Sequence, residues 1–202
     1  MAPEYKIRPA SIDDAREIAK LIAISSDGVA TIEWHEQAVK EACDPLDIGE
    51  RTYQNPQGDY SYSNATMVEN NNQVAGMLLT FGMPDAKPRN PLNRPGVDDE
   101  NVFAPYIYLE EPNSWYICGV AFYPQYRGHG LGTRLTDLAN EQARENGFSS
   151  LSLVVFEQNK GAVRLYERLG FEPVGCRPRY YKDSNEDAII MAMTLTEMKL
   201  AV

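Results

Sequence analysis

The pattern of hydrophobic and polar residues alternates along the chain between strand-like and helix-like stretches. Short runs rich in apolar and β-branched residues predict strands at Tyr5–Arg8, Ala65–Glu69, Gln73–Phe81, Trp115–Phe122, Leu151–Phe156, Phe171–Cys176 and Ala188–Leu195. Apolar residues at helical spacing predict helices behind the capping sequence Ser11–Asp14, over about Ile32–Ala42, from about Leu131 to Asn146, and over Lys160–Leu169. Because helices and strands alternate but the chain finishes in a hairpin, the pattern predicts a mixed α/β (α+β) sheet.

Two stretches interrupt this pattern. The segment from Asp44 to Asn64 contains several prolines and glycines, which predict loop or irregular structure. The segment from Pro84 to Asn113 holds six of the thirteen prolines and predicts a long loop. No repeat or linker divides the chain. We therefore expect one domain over residues 1–202 with a proline-rich insertion at about residues 84–113.

Composition narrows the classes of partner. The net charge of −10 argues against nucleic acid and against anionic membrane surfaces as main partners. The charged N-terminal residues do not resemble a signal peptide, and no apolar run approaches the roughly 20 residues of a membrane-spanning helix. The three cysteines are far apart, which predicts neither a metal site nor a disulfide framework. The expectation is a cytoplasmic, reduced protein.

The clearest candidate for chemistry is the glycine-rich loop Arg127–Gly132, between a buried strand and an amphipathic helix. A helix start offers unpaired N–H groups to a phosphate, and glycines let the backbone come close. The dinucleotide spacing G-x-G-x-x-G fails, because Thr133 and Leu135 stand where the last glycine is needed. A P-loop spacing is absent as well. Spacing alone leaves two interpretations open, an anion site or glycines chosen only for conformation.

Two longer motifs resemble those of the GNAT superfamily of N-acetyltransferases. Gln125–Gly130 resembles its Q/R-x-x-G-x-G/A motif, and Asn159–Phe171 matches N-x-x-A-x-x-L-Y-x-x-x-G-F. The resemblance implies a mixed, mostly antiparallel sheet of about six to seven strands flanked by helices. In this fold a splayed parallel pair of strands forms the acyl-CoA cleft. It also implies acetyl-CoA as donor, no metal and an amine as acceptor. The sequence does not show the oligomeric state, although homodimers are common in the family.

The resemblance also implies roles for single residues. Main-chain groups that pair with the pantetheine arm would come from Val120, Ala121 and Phe122. Backbone amides that hold the pyrophosphate would come from Arg127, Gly128, His129, Gly130, Leu131, Gly132 and Thr133. Asn159 would hydrogen-bond the cofactor, or cap the following helix, or do both. Tyr166 would act as general acid for the coenzyme A thiolate, where the competing interpretation is an ordinary core tyrosine.

The general base stays unassigned, because the strand before the loop contains no acid. Glu110, Glu111 and Glu157 are candidates by proximity in sequence only, and neither His35 nor His129 is expected to be catalytic or a metal ligand. A non-catalytic coenzyme A-binding sensor is the alternative function, and a nucleotide-binding protein is a remoter one. The sequence does not identify the acceptor. Aromatic residues that would line an acceptor pocket, or else cover the core, are Trp34, Tyr53, Tyr60, Tyr62, Phe103, Tyr106 and Tyr108.

Overall fold

A computed structural model describes residues 4–83, 111–178 and 187–195 of the chain. The strands of the described residues are β1 (Tyr5–Pro9), β2 (Ala65–Asn70), β3 (Gln73–Gly82), β4 (Trp115–Phe122), β5 (Ser150–Phe156), β6 (Glu172–Pro178) and β7 (Asp187–Thr194). The α-helices are α1 (Ala15–Ser25), α2 (Thr31–Glu41), α3 (Pro45–Gln54), α4 (Leu131–Glu145) and α5 (Lys160–Arg168). Most of the proline-rich insertion and the predicted turn after β6 lie outside the described residues.

The strands form one mixed sheet in the order β1-β2-β3-β4-β5-β7-β6. β4 and β5 run parallel, with Trp115 opposite Leu151. Antiparallel pairs join β1 to β2, β2 to β3, β5 to β7 and β7 to β6. The predicted sheet, mostly antiparallel with one parallel pair, is therefore confirmed.

The predicted loop after α2 is wrong, since its first half forms helix α3. Asp44 caps this helix, with a carboxylate oxygen that accepts a hydrogen bond from the amide of Leu46 at 2.7 Å. Pro45 takes the first helical position, where its missing N–H costs nothing. Gly49 faces the Trp34 ring so closely that a Cβ there would lie 2.9 Å from ring carbons. Pro45 and Gly49, which predicted a loop, therefore begin the helix and let it pack closely against Trp34.

The described residues group into two compact units, and each is described by itself. The first unit comprises Met1–Phe81 with Cys118–Leu135. Its core is built by one face of α1 together with residues from α2, α3 and the strands β2, β3 and β4. The fully buried side chains at its centre include Ile18, Leu21, Met67, Met77 and Leu79. Helices α1 to α3 and the glycine-rich loop therefore belong to the same packed body.

The second unit comprises Gly82–Ile117 with Thr136–Val202. Strand β5 supplies buried apolar residues to it, and β7 adds a smaller cluster around Ala188 and Ile190. Gly82 allows Phe148 to approach, because a Cβ at that glycine would lie 2.5 Å from the ring. Among the described residues, no helix is both long and apolar enough to cross a membrane.

Candidate active site

The predicted site residues fall into two groups, one in each unit. The first group is continuous in the chain: β4 ends at Phe122, a short 3-10 helix follows at Pro124–Tyr126, and the loop then enters α4. Gly128 and Gly130 have φ angles of 79° and 75°, in the left-handed region that favours glycine. A Cβ built on either would meet no atom within 4 Å. The space in front of the loop backbone is open, as a bound pyrophosphate would require.

The start of α4 supplies the amide groups. Its first regular hydrogen bond runs from the amide of Arg134 to the carbonyl of Gly130, at 3.2 Å. The amides of Leu131, Gly132 and Thr133 therefore stand in the first helical turn, which is the part of a helix that binds anions. The helix has 15 residues, so its dipole is fully developed. The loop and the helix start together fit a phosphate group.

Two side chains of the loop form hydrogen bonds with backbone carbonyls close to it in the sequence. Arg127 Nε donates a hydrogen bond to the carbonyl oxygen of Phe122 at 3.0 Å. His129 Nδ1 donates to the carbonyl of Tyr126 at 3.2 Å, and its exposed ring lies against Tyr5. On the strand, Ala121 is buried whereas Val120 and Phe122 are half-buried. The side chains of Arg127 and His129 thus shape the loop itself.

Sequence reasoning missed a carboxylate behind the loop. Tyr123 follows β4 directly, and its hydroxyl donates to Glu17 of α1 at 2.6 Å, while Lys20 bonds to the other oxygen of the same carboxylate. Burial raises the pKa of Glu17, but the hydrogen bonds from Lys20 and Tyr123 outweigh it and leave the pKa below its ordinary value. Glu17 is therefore an ionised anchor for the residue that leads into the loop. No local signal could have found it, because Glu17 and Tyr123 are 106 positions apart.

The second group lies on α5. Asn159 caps this helix, because its side-chain oxygen accepts a hydrogen bond from the amide of Ala162 at 3.1 Å. Tyr166 is 8% exposed, and its ring packs edge-on against Phe171 with 5.4 Å between centroids. Burial raises the pKa of Tyr166 to about 12. The phenol is protonated at neutral pH, as it would be at the ordinary pKa of a tyrosine.

Of the sequence candidates for the base, two lie within the described residues. Glu157 is exposed and pairs with Lys160 at 2.9 Å, and Glu111 is half-buried. Glu110 lies outside the described residues. His35 is exposed on α2, where its ring bonds to the carbonyl of Thr31. Within the described parts of the chain, no group of three His, Cys, Asp or Glu side chains is arranged to hold a metal ion.

The predicted aromatic residues divide between core and surface. Trp34 and Tyr53 are 7% and 2% exposed and pack on each other edge-on, so these two cover the core. Tyr62 is half-buried against the same core. Tyr60 is 50% exposed and rests on Phe81. The remaining aromatic candidates, Phe103, Tyr106 and Tyr108, lie outside the described residues.

Comparison with known proteins gives a consistent result. The chain matches the model of the acetyltransferase (GNAT) family over residues 29–171. A Bacillus subtilis protein, provisionally named an alanine N-acetyltransferase of ribosomal protein bS18, is 36% identical over 111 residues, which are 48% of this chain and 74% of that protein. The Escherichia coli protein named for the same activity is 38% identical over 79 residues, 38% of this chain. This chain spans about half (53%) of that relative's length.

Solved structures agree on the fold. A structure described as an acetyltransferase has a TM-score of 0.64 and 24% identity, and the match covers 95% of this chain and all of the other. The Escherichia coli ribosomal-protein-S18-alanine N-acetyltransferase has a TM-score of 0.60 and 20% identity, over 98% and 99% of the two chains. Members of the GNAT family take their acyl group from acetyl-CoA. The match to the family model covers well over half of the chain, which therefore belongs to the GNAT family of acetyltransferases.

Proposed function

We propose that this protein transfers the acetyl group of acetyl-CoA to a primary amine by direct attack in a ternary complex, with Tyr166 as general acid. The observation that supports this most is the open glycine loop at the start of α4. It offers backbone amides to a pyrophosphate, and its glycines leave room for the ligand. In this proposal the amides of residues 128–133 hold the pyrophosphate, since the amide of Arg127 donates to the carbonyl of Pro124 at 3.3 Å. The main chain of residues 120–122 pairs with the pantetheine arm.

The reaction itself needs one proton donor and one proton acceptor. The neutral amine attacks the thioester carbonyl carbon, the carbon–sulfur bond breaks, and the sulfur takes the proton of the Tyr166 hydroxyl. The phenolate regains a proton from water, and water also takes the proton that the nitrogen releases. A tyrosine phenol is neutral throughout the neutral range and so has a proton to give, and burial, which raises its pKa to about 12, makes Tyr166 a weaker acid than an exposed tyrosine.

We further propose that the acceptor is the α-amine of a protein or peptide N-terminus. The relatives above are named alanine N-acetyltransferases of a ribosomal protein. An alanine in a protein has a free amine only where it is the first residue, so such a name fits an α-amine. The absence of an acid from β4 supports the same choice. An α-amine has a pKa of about 7.8, so about a third of it is already neutral at pH 7.5, whereas a lysine with a pKa of about 10.4 is roughly 0.1% neutral. A strand β4 that carries no acid is therefore better suited to an α-amine than to a lysine.

The test is acetyl transfer to a matched pair of peptides. One begins with a free alanine, and the other has a blocked N-terminus and one internal lysine. We expect thiol release and a mass gain with the first peptide only, and a kcat/KM that rises with pH up to about pH 8, where the α-amine loses its proton. Transfer to lysine alone would overturn the choice of acceptor. Coenzyme A binding without turnover on any amine would instead favour the sensor.

Tyr166→Phe tests the acid. Phenylalanine keeps the ring that packs on Phe171 but has no proton to give. We expect kcat to fall by about a hundredfold or more, within the range known for general acids. The Kd for coenzyme A, measured by calorimetry, should stay unchanged. Equal thiol release by the variant and the wild type would show that another group protonates the leaving sulfur.

A further inference from the structure

The first strand reaches the glycine loop through one aromatic side chain. We propose that Tyr5 of β1 is a positioning residue, which holds the loop in the conformation that binds the pyrophosphate of the donor. This inference rests on the proposed role of the loop.

Backbone hydrogen bonds hold the two ends of the loop, from Arg127 to Pro124 and from Arg134 to Gly130, but none of them involves an amide of residues 128–130. His129 stands between two glycines that both have positive φ angles, and no neighbouring atom lies within 4 Å of the Cβ position of either. Glycine visits many more backbone conformations than other residues, so residues 128–130 have little intrinsic preference for the observed one. Contacts of the side chains around the glycines would therefore favour the observed direction of these amides.

Tyr5 makes ring contacts on both sides of the first glycine. Its ring meets Tyr126 edge-on, with 6.4 Å between centroids and 86° between planes. It meets His129 at 6.1 Å with a tilt of 55°. The carbonyl oxygen of Tyr5 also accepts a hydrogen bond of 3.4 Å from Arg134 in the first turn of α4. One residue therefore touches the segment before the loop, the middle of the loop and the helix after it.

Strand β1, which carries Tyr5, is itself held in the sheet. β1 pairs with β2 along its whole length, with Tyr5 opposite Asn70. The side chain of Asn70 donates to the carbonyl of Glu4 at 2.9 Å, just before Tyr5. Tyr126 is attached a second time, through its hydroxyl to Gln73 of β3 at 3.4 Å. A ring on a paired strand can therefore restrain a loop that contains two glycines.

The experiment compares Tyr5→Ala and Tyr5→Phe with the wild type. Loss of the ring should weaken coenzyme A binding by about fivefold, because two ring contacts are lost. The KM for acetyl-CoA should rise with it, whereas kcat with saturating alanine peptide should change less than twofold. Tyr5→Phe keeps both ring contacts and should restore the wild-type Kd. Calorimetry gives the Kd, and steady-state kinetics separate KM from kcat.

Phe148→Ala is the matched control, because it removes a ring contact of similar kind, with Trp115 at 5.4 Å, in the other unit. It should lower the melting temperature without weakening coenzyme A binding. The inference is overturned if Tyr5→Ala binds coenzyme A like the wild type, if the loss follows stability so that both alanine variants weaken binding equally, or if Tyr5→Phe fails to restore it. Failure of the wild type to bind coenzyme A would instead overturn the proposed function.

Discussion

Arg8 binds two carboxylates at once near the start of the chain. Its guanidinium forms hydrogen bonds of 2.8 Å to each oxygen of Asp14 and one of 2.7 Å to Glu69. Asp14 also accepts the amide of Ser11 at 2.7 Å, so the acid of the predicted capping sequence is in place. The hydrogen bonds from Arg8 hold the pKa of Asp14 below its ordinary value, although burial opposes this.

Asp14→Asn should therefore destabilise the protein by about 1–3 kcal/mol at pH 7, because Arg8 loses its bidentate partner. A carboxyl whose pKa is depressed by folding stabilises the protein above its ordinary pKa of 3.8, and this contribution is lost as the pH falls through the lower, folded-state value. The difference between variant and wild type should thus shrink near pH 3. Urea unfolding at both pH values measures it, and Asp13→Asn at the exposed neighbour is the control. A difference of equal size at both pH values would contradict this account.

Single residues were predictable where a local motif marked them. The second motif pointed to Asn159 and Tyr166, and the structure confirms the cap at Asn159, while both cofactor roles stay predictions. The pairs Glu17–Tyr123 and Tyr5–His129 were not predictable, because each joins residues more than a hundred positions apart. Such contacts are decided by how elements pack, which one sequence does not reveal.

Among the elements, strands with near-continuous apolar residues were predicted best. Trp115–Phe122 has the predicted bounds, because a strand buried on both faces ends where the apolar run ends. Helix α3 was missed because proline and glycine inside a segment usually indicate a loop. Here Pro45 takes the first helical position, where proline is favoured, and Gly49 lies on the face of the helix that packs against another helix. Glycine is needed at position 49 because the Trp34 ring packs against it. Since Trp34 belongs to α2, this contact could not be read from the local sequence of α3.

Asn159 caps helix α5 and is also predicted to contact the donor, and substitution can separate these two roles. Asp caps a helix about as well as Asn, whereas Ala costs about 1 kcal/mol. We expect Asn159→Asp to keep the free energy of unfolding and Asn159→Ala to lower it. If the side-chain NH2 of Asn159 also donates a hydrogen bond to the donor, Asn159→Asp should weaken coenzyme A binding about tenfold, because a carboxylate cannot donate. Urea unfolding and calorimetry measure the two effects.

If Asn159 only caps α5 and does not contact the donor, the same variants should behave differently. Asn159→Asp would then bind coenzyme A like the wild type, and only Asn159→Ala would differ, through a frayed start of α5. Asn146→Asp is a control for the added charge alone: it loses the hydrogen bond that Asn146 donates to the carbonyl of Gln142 at the end of α4, so it should lower stability and leave the Kd unchanged. An unchanged Kd in Asn159→Asp would therefore remove this residue from the donor site.

At the scale of the whole molecule, the sequence was sufficient to predict the sheet and the family, but it does not identify the acceptor. The net charge of −10 is the one global property with a consequence for that acceptor. A negative protein raises the local concentration of cationic ligands and speeds their arrival. An N-terminal peptide with lysines after its alanine should therefore be a better acceptor than one with glutamates.

We expect a kcat/KM about tenfold higher for the lysine-containing peptide at low ionic strength, with similar kcat values once each peptide is saturating. In 1 M salt the Debye length falls to about 3 Å, so this preference should shrink to about twofold. Steady-state kinetics on the two peptides and on a serine-containing neutral one, at both salt concentrations, make the comparison. A preference that survives high salt would show direct contacts with the peptide side chains. Equal kcat/KM values at low salt would show that the charge serves solubility and does not attract the acceptor.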